Sequence, residues 1–238
     1  MRKAVDVAVL TGAGVSAESG VPTFRDAQTG LWNRYRPEDL ATPQAFRRDP
    51  KLVWEWYAWR RELVLGVSPN PAHTALAEME RQLERRGRRF TLITQNVDNL
   101  HGKAGSSNII ELHGNIQRTR CFDEGTLVES WPDTGETPPR CPACGGWLRP
   151  DVVWFGEMLP QQALEAAWEA ARVCQVFFSV GTSGLVEPAA SLPVAALQAG
   201  AIVVEVNPAE TPLTPHAHFS LQGPAGQILP QLVQAVWE

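Results

Sequence analysis

The chain has 238 residues, of which 44% are hydrophobic and 20% charged, with a formal net charge of −5. Such a composition belongs to a globular protein with room for one large core and a smaller appended module. The acidic balance gives nucleic acid no electrostatic footing, no apolar run approaches the roughly 18 residues of a membrane span, and the N-terminus lacks a signal-peptide pattern; a cytoplasmic protein without membrane or nucleic-acid partners is expected.

The first predicted element is a short buried strand over residues 7–10, inside the apolar run Val5-Asp-Val-Ala-Val-Leu10. It leads into Gly12-Ala-Gly-Val-Ser-Ala17, a strand followed by Gly-x-Gly-x-x-Ala. In α/β folds that arrangement brings backbone N–H groups to a pyrophosphate, with glycine permitting close approach. Residues 29–62 form a long aromatic-rich insertion, and a helix is expected over 51–65. A helix over 71–86 follows, and the arginines between Arg81 and Arg89 read as a solvated face. Strands are then expected over 90–94, 176–180 and 201–206, whose near-continuous hydrophobicity suits a parallel sheet buried on both faces. Helices over 161–172, 188–199 and 227–237 alternate with them. This alternation predicts a doubly wound α/β domain, whose ligands gather beyond the carboxyl ends of the strands. The polar clusters Thr11-Gly-Ala-Gly14, Gln95-Asn-Val-Asp98, Gly181-Thr-Ser183 and Asn207 all sit at such ends. Residues 121–144 do not fit the layer: they form a Pro/Gly-rich loop with cysteines near both ends.

The motifs Gly12-Ala-Gly-Val-Ser-Ala-Glu-Ser-Gly-Val-Pro-Thr-Phe-Arg25, Gln95-Asn-Val-Asp98, Glu111-Leu-His-Gly114, Cys141-Pro-Ala-Cys144, Val152-Val-Trp-Phe-Gly-Glu157, Gly181-Thr-Ser183 and Glu205-Val-Asn-Pro208 occur in this order. Together they resemble the sirtuins, NAD-dependent protein-lysine deacylases, over nearly the whole chain. The resemblance implies a Rossmann-like doubly wound parallel sheet with a smaller helical and zinc-ribbon-like module formed by two insertions. The large lobe would span about 1–28, 67–115 and 150–238, and the small lobe about 29–66 and 116–149. Acyl-lysine protein or peptide substrates would enter the cleft between the lobes.

It further implies that NAD is a co-substrate held by Gly12, Ala13, Gly14, Ser16, Ala17, Glu18, Phe24, Arg25, Trp32, Gln95, Asn96, Asp98, Gly181, Thr182, Ser183, Asn207 and Ala225. Val153, Trp154, Phe155, Gly156 and Glu157 would meet the substrate. His113 would be the catalytic general base, since a neutral imidazole near pKa 6.5 can accept a proton at working pH. In the family reaction the acyl oxygen attacks C1′ of the nicotinamide ribose and nicotinamide leaves. The His then activates the ribose hydroxyl, and lysine and O-acyl-ADP-ribose result. Asn96 and Asp98 suit a carboxamide such as nicotinamide, and Asp98 also suits a helix N-cap. Position 99 is Asn where many members carry Gly. His73, His101, His216 and His218 read as structural, and Cys174 as an inert buried thiol.

Tyr57 and Arg60 lie at i and i+3 on one helical face. Their spacing, with Asn70-Pro-Ala-His73 beyond it, resembles the class III sirtuins, which remove succinyl and malonyl groups. That likeness implies a phenol and a guanidinium presented to a short dicarboxylic acyl chain, with deacetylation retained; Arg61 is the alternative cation. Taken without the likeness, the same segment is an aromatic amphipathic helix.

Cys121, Cys141 and Cys144 are three of the four cysteines of the family's structural zinc site, and Glu124 stands where the fourth belongs. A structural zinc completed by Glu124 or Asp123 and a metal-free loop held by packing both remain open. Other readings are a reversible NAD oxidoreductase, a mono-ADP-ribosyltransferase and a non-catalytic reader. The late second strand argues against the first and His113 against the last.

Overall fold

The computed structural model describes residues 4–22 and 35–237. Phe24, Arg25 and Trp32 therefore lie outside the described residues. Strands β1 (Asp6–Thr11) and β2 (Arg89–Thr94) lie in one sheet with β3 (Ile109–Glu111). After the antiparallel pair β4 (Gly114–Cys121) and β5 (Leu148–Val152), the sheet resumes with β6 (Val176–Val180), β7 (Ile202–Asn207) and β8 (Phe219–Gln222). Its order is β3-β2-β1-β6-β7-β8, every neighbouring pair parallel. This is the Rossmann order, and the strand order reverses between β1 and β6, where such folds open a ligand crevice.

The alternation along each strand explains the two layers. Val7 and Val9 of β1, Phe90 and Leu92 of β2, and Phe178 and Val180 of β6 face α4 (Pro71–Glu84) and α8 (Ala225–Trp237). Ala8, Leu10, Ile93 and Phe177 face the opposite way, against α6 (Gln161–Val173) and α7 (Leu192–Gln198). Side chains that alternate across a strand bury both faces of the sheet. No helix among the described residues is long and apolar enough to cross a membrane.

The helical insertion comprises α1 (Pro37–Leu40), α2 (Pro43–Arg48) and α3 (Pro50–Leu65). Three helices start alike, with a side-chain cap and then proline. Thr42 caps Ala45 N at 3.0 Å, Asp49 caps Leu52 N at 3.0 Å, and Asn70 caps Ala72 N at 2.9 Å. Phe46, Trp56, Tyr57 and Trp154 build a separate aromatic core for this module.

The expected core strands and most helices stand close to their observed bounds. The expected helix over 188–199 is instead a 3-10 turn, Ala189–Ser191, followed by α7. Pro193 in its first turn has no N–H to bond back along the chain, so the helix restarts there. Strands β3, β8, β4 and β5 and the short α5 (Leu100–Lys103) were not expected. β3 and β8 are short edge strands without a fully buried apolar run, which leaves periodicity little to register.

The ends of β1 and β6 meet backbone to backbone. Gly12 N donates to Val180 O at 3.1 Å, and Gly14 N to Gly181 O at 2.8 Å. Gly181 has φ +59°, and a Cβ there would stand 2.4 Å from Val15 N. Gly200 has φ +89° but open space where its Cβ would be. Gly200→Ala is expected to cost about 1 kcal/mol from its backbone alone. Gly181→Ala should cost on the order of 3 kcal/mol, because backbone atoms must also move. Urea unfolding of the two variants measures the difference, and equal losses would contradict the close approach.

Candidate functional site

The site is built where β1, β2, β3, β6 and β7 end. Ala13 lies in a 3-10 turn, Ala13–Val15, and Ala17 and Glu18 in a second, Ala17–Ser19. The expectation that the glycine loop offers its N–H groups to a phosphate needs correction at two positions. The N–H groups of Gly12 and Gly14 are bonded to the β6 end, so these glycines serve the approach of two loops. A Cβ on Gly12 would stand 2.8 Å from Gly181 O, and one on Gly14 2.7 Å from it. Glu18 crosses to α8, where its carboxylate accepts Gly226 N at 2.7 Å beside the buried Ala225. A carboxylate at a helix start is favourably placed against the helix dipole.

Behind this loop lies a buried polar network. Ser16 Oγ donates to Asp98 Oδ2 at 2.7 Å and accepts from Asn96 Nδ2 at 3.1 Å. Asn96 Nδ2 also donates to Gly12 O at 3.1 Å. Asp98 Oδ1 accepts Leu100 N at 2.9 Å from one residue before the N-cap of α5, which is Asn99 and not the expected Asp98. Asn99, next to it, has φ +61°, a left-handed conformation that asparagine tolerates better than most residues and that explains the family's usual glycine. Burial raises the Asp98 pKa, opposed by these hydrogen bonds.

His73 and His101, read as structural from the sequence, touch the network directly. Asn70 N donates to His73 Nδ1 at 3.3 Å, which puts the ring proton on Nε2, 3.3 Å from Ser16 Oγ. His101 Nε2 lies 3.0 Å from Thr11 Oγ1, which donates to Thr94 Oγ1 at 2.9 Å; His101 Nδ1 is buried without a partner. The two rings lie 4.8 Å apart. The sequence signal was the pairing of Asn70 and His73 as a reciprocal helix cap.

His113 stands just beyond β3. Its Nδ1 donates to Gln95 O at 2.9 Å, leaving the lone pair of the neutral ring on Nε2. Burial lowers its pKa, and the Gln95 hydrogen bond opposes that shift. Gln95 Nε2 donates to Thr182 Oγ1 at 3.1 Å, linking the β2 and β6 ends. Ser183 follows in the same β6 loop, and Asn207 ends β7 with Nδ2 donating to Ala209 O at 2.8 Å.

Val153 N donates to His113 O at 2.9 Å, so the loop carrying residues 153–157 is tied to the histidine. In that loop Trp154 is buried, Phe155 is exposed, and Gly156 has φ +85°. Glu157 accepts Trp154 N at 2.8 Å and pairs with the buried Arg149. Tyr57 is buried, and its hydroxyl accepts Trp154 Nε1 at 2.9 Å. Burial raises the Tyr57 pKa and lowers that of Arg60, whose positive charge is felt at Tyr57. Arg61 turns away: its Nε donates to Ile116 O at 2.7 Å on β4.

Cys121, Cys141 and Cys144 converge, their sulfurs all within 4.8 Å of one another. Glu124 reaches the cluster through its backbone N–H, 3.4 Å from Cys121 Sγ, and Gly146 N is 3.4 Å from Cys144 Sγ. Three thiols so grouped fit a structural zinc ion.

The Sir2 family model matches residues 12–188. A relative from Pyrobaculum aerophilum named NAD-dependent protein deacylase 2 is 55% identical over 228 residues, covering 96% of this chain and 90% of the relative. The crystal structure of a Sir2 homologue–NAD complex is 52% identical with TM-score 0.89, over 99% of this chain and 90% of that one. A mutant Sir2 homologue in complex with 2′-O-acetyl ADP-ribose is 52% identical with TM-score 0.88, over 99% and 93%.

The histidine pair makes the fold acid-sensitive. Burial lowers the His73 pKa to about 4. Burial, with His73 adding to it, lowers that of His101 to about 3. In the unfolded chain both rings bind protons near pH 6.5, so the unfolded state gains as pH falls below that value. The stability is present above pH 6.5 and is lost toward the folded values, roughly 2 kcal/mol per ring between pH 7 and pH 5. Denaturant titrations at the two pH values should show this loss, and His101→Gln should reduce it by about one ring's share.

Proposed function

This chain belongs to the Sir2 family as an NAD-dependent protein deacylase, and we propose that His113 is its general base and that Tyr57 and Arg60 direct it toward succinyl- and malonyl-lysine. The observation that carries the first part is the hydrogen bond from His113 Nδ1 to Gln95 O. It leaves Nε2 as the proton acceptor at the strand ends where Ser16, Asn96 and Asp98 gather. The close-set glycines Gly12, Gly14 and Gly181 join the β1 and β6 ends at the strand-order reversal, the place where such folds take a dinucleotide. NAD supplies an electrophilic ribose carbon with nicotinamide as leaving group, and the acyl group leaves lysine as O-acyl-ADP-ribose. Asn96 and Asp98 hold the carboxamide in this reading, with Phe24 shielding the ribose from water, Arg25 on phosphate or nicotinamide, and Trp32 among the NAD contacts.

Acyl selection rests on Tyr57 with Arg60. Both are held by α3, the Arg60 guanidinium lies 5.1 Å from the Trp56 ring, and its charge acts on the Tyr57 phenol. Arg61 is engaged with β4, which favours Arg60 as the cation. The residues 153–157 form the wall that a peptide backbone meets. The lobe division at about 1–28, 67–115 and 150–238 against 29–66 and 116–149 draws support from the aromatic core of α1–α3, to which Val21, Leu100, Val152 and Trp154 of the large lobe also contribute. Cys121, Cys141 and Cys144 hold zinc in this reading, with a structural role at a distance from the chemistry. Four unpaired cysteines suit a reducing compartment, and the proposed location is the cytoplasm.

Incubation with NAD and matched succinyl- and acetyl-lysine peptides, followed by peptide mass and nicotinamide, tests the reading. Both peptides should lose their acyl group, succinyl faster. Tyr57→Phe and Arg60→Met should each lower the succinyl rate about tenfold or more, as expected for lost charge-assisted hydrogen bonds. His113→Ala should cost about 100-fold or more in deacylation. Because the His113 pKa is lowered, kcat/KM should hold down to pH 6.5 and fall only below it. Nicotinamide release with label retained on protein would point to ADP-ribosyl transfer instead. Zinc should copurify at one ion per chain, and Cys144→Ser should lose it together with several degrees of Tm.

A further inference from the structure

We infer that the indole N–H of Trp154 sets the acyl preference by fixing which way the Tyr57 hydroxyl points. The inference rests on the acyl-selection reading above and deepens it. Trp154 Nε1 is a donor and cannot accept, so in the 2.9 Å contact the Tyr57 oxygen must be the acceptor. The phenolic proton is thereby directed away from Trp154. Among the described residues the hydroxyl makes this one hydrogen bond, and its own proton finds no acceptor. Tyr57 is 3% exposed and Trp154 1% exposed, so water does not readily substitute. A buried O–H with a free proton and an occupied lone pair is a donor waiting for an acceptor.

The indole cannot swing away to release the phenol. The Arg149 guanidinium lies 3.2 Å from its ring centroid, the Phe46 ring 5.3 Å and the Phe122 ring 6.3 Å. Arg149 is itself fixed by Glu157 and by Val152 O, 2.6 Å from its Nη2. The raised Tyr57 pKa keeps the phenol protonated throughout the working pH range, so the donor persists. Arg60 contributes positive charge to the same place. An acyl chain ending in an acceptor satisfies both groups, whereas a plain alkyl end leaves the Tyr57 proton buried without a partner. Trp154 is thus a positioning residue acting through Tyr57.

The test separates the hydroxyl's direction from the arginine's charge. Peptides carrying 4-oxopentanoyl-lysine and pentanoyl-lysine differ by one neutral carbonyl oxygen at the far end of the acyl chain. The wild-type enzyme should favour the ketone by about fivefold in kcat/KM, and Tyr57→Phe should abolish that preference. Trp154→Phe should reduce the ketone preference and lower the succinyl-to-acetyl ratio by about tenfold. The double variant should be no less selective than Tyr57→Phe alone, because both act through one hydroxyl. Trp154→His, which keeps a ring N–H donor, should recover part of the ratio.

If Trp154→Phe keeps both preferences while Tyr57→Phe loses them, the inference fails and the acyl-selection reading stands. If Tyr57→Phe alters neither preference, that reading falls and takes the inference with it. Equal rates on the ketone and alkyl peptides in the wild-type enzyme overturn the inference without any variant, so a Trp154→Phe chain that does not fold leaves it decidable.

Discussion

The contact on which the molecule depends is the backbone approach of the β1 and β6 ends, where Gly14 N meets Gly181 O at 2.8 Å. The two strands are neighbours in a parallel sheet, but the chain leaves them toward opposite halves of the fold. Their loops must therefore cross at close quarters without side chains between them. Glycine at positions 12, 14 and 181 meets that demand, because any Cβ there would lie under 3 Å from backbone atoms. Once the loops are that close, Ser16 is carried in beneath them to within reach of Asp98 and Asn96, and Gln95 reaches Thr182. The meeting of the two loops is a consequence of strand order, and the glycines permit its closeness.

The polar network beneath the crevice works by removing freedom. Ser16 accepts from Asn96, lies against the His73 ring and donates to Asp98, so its hydroxyl has no alternative orientation. His73 is held as one tautomer by Asn70 N, and the His101 ring lies tilted beside it. Uncharged rings are the condition for this arrangement. A proton on His101 Nδ1 would add charge to an atom that has no partner. A proton on His73 Nδ1 would oppose the Asn70 N–H. The acid sensitivity expected of the fold and the fixed orientations in this network follow from the same burial.

The sheet was legible in the sequence because its core strands are apolar on both faces. Val7 to Leu10 and Val176 to Val180 allow no other reading, whereas β8 offers a mostly exposed Phe-Ser-Leu-Gln run that periodicity cannot distinguish from loop. The candidate site was legible as a meeting of polar residue types at strand ends, as at Gln95, Asn96 and His113, whose roles are proposals. It was not legible where the partner arrives from far along the chain. Nothing local to His101 announces Thr11, 90 residues away, and nothing local to Tyr57 announces Trp154, 97 residues away. Arg149 hid for a related reason: an arginine in a short polar strand reads as surface, but here it is buried between Glu157 and an indole. Family motifs supplied the order of the parts, and tertiary contacts supplied their pairing.

The pairing of β4 with β5 joins these parts into one device. Gly114 lies opposite Val152, and immediately beyond that pair His113 O accepts Val153 N. A Cβ on Gly114 would stand 2.2 Å from Asp151 O, so only glycine lets the two chains come together at this point. The residue proposed as general base and the loop proposed to meet the peptide are consequently fixed to each other by a main-chain hydrogen bond. Trp154, one residue further along, enters the aromatic core of α1–α3 and carries the connection to Tyr57. The indole, Val153 and the histidine thus follow one another through packed rings and backbone bonds. The residues proposed for acyl selection and for proton abstraction therefore share one stretch of main chain, residues 152–154.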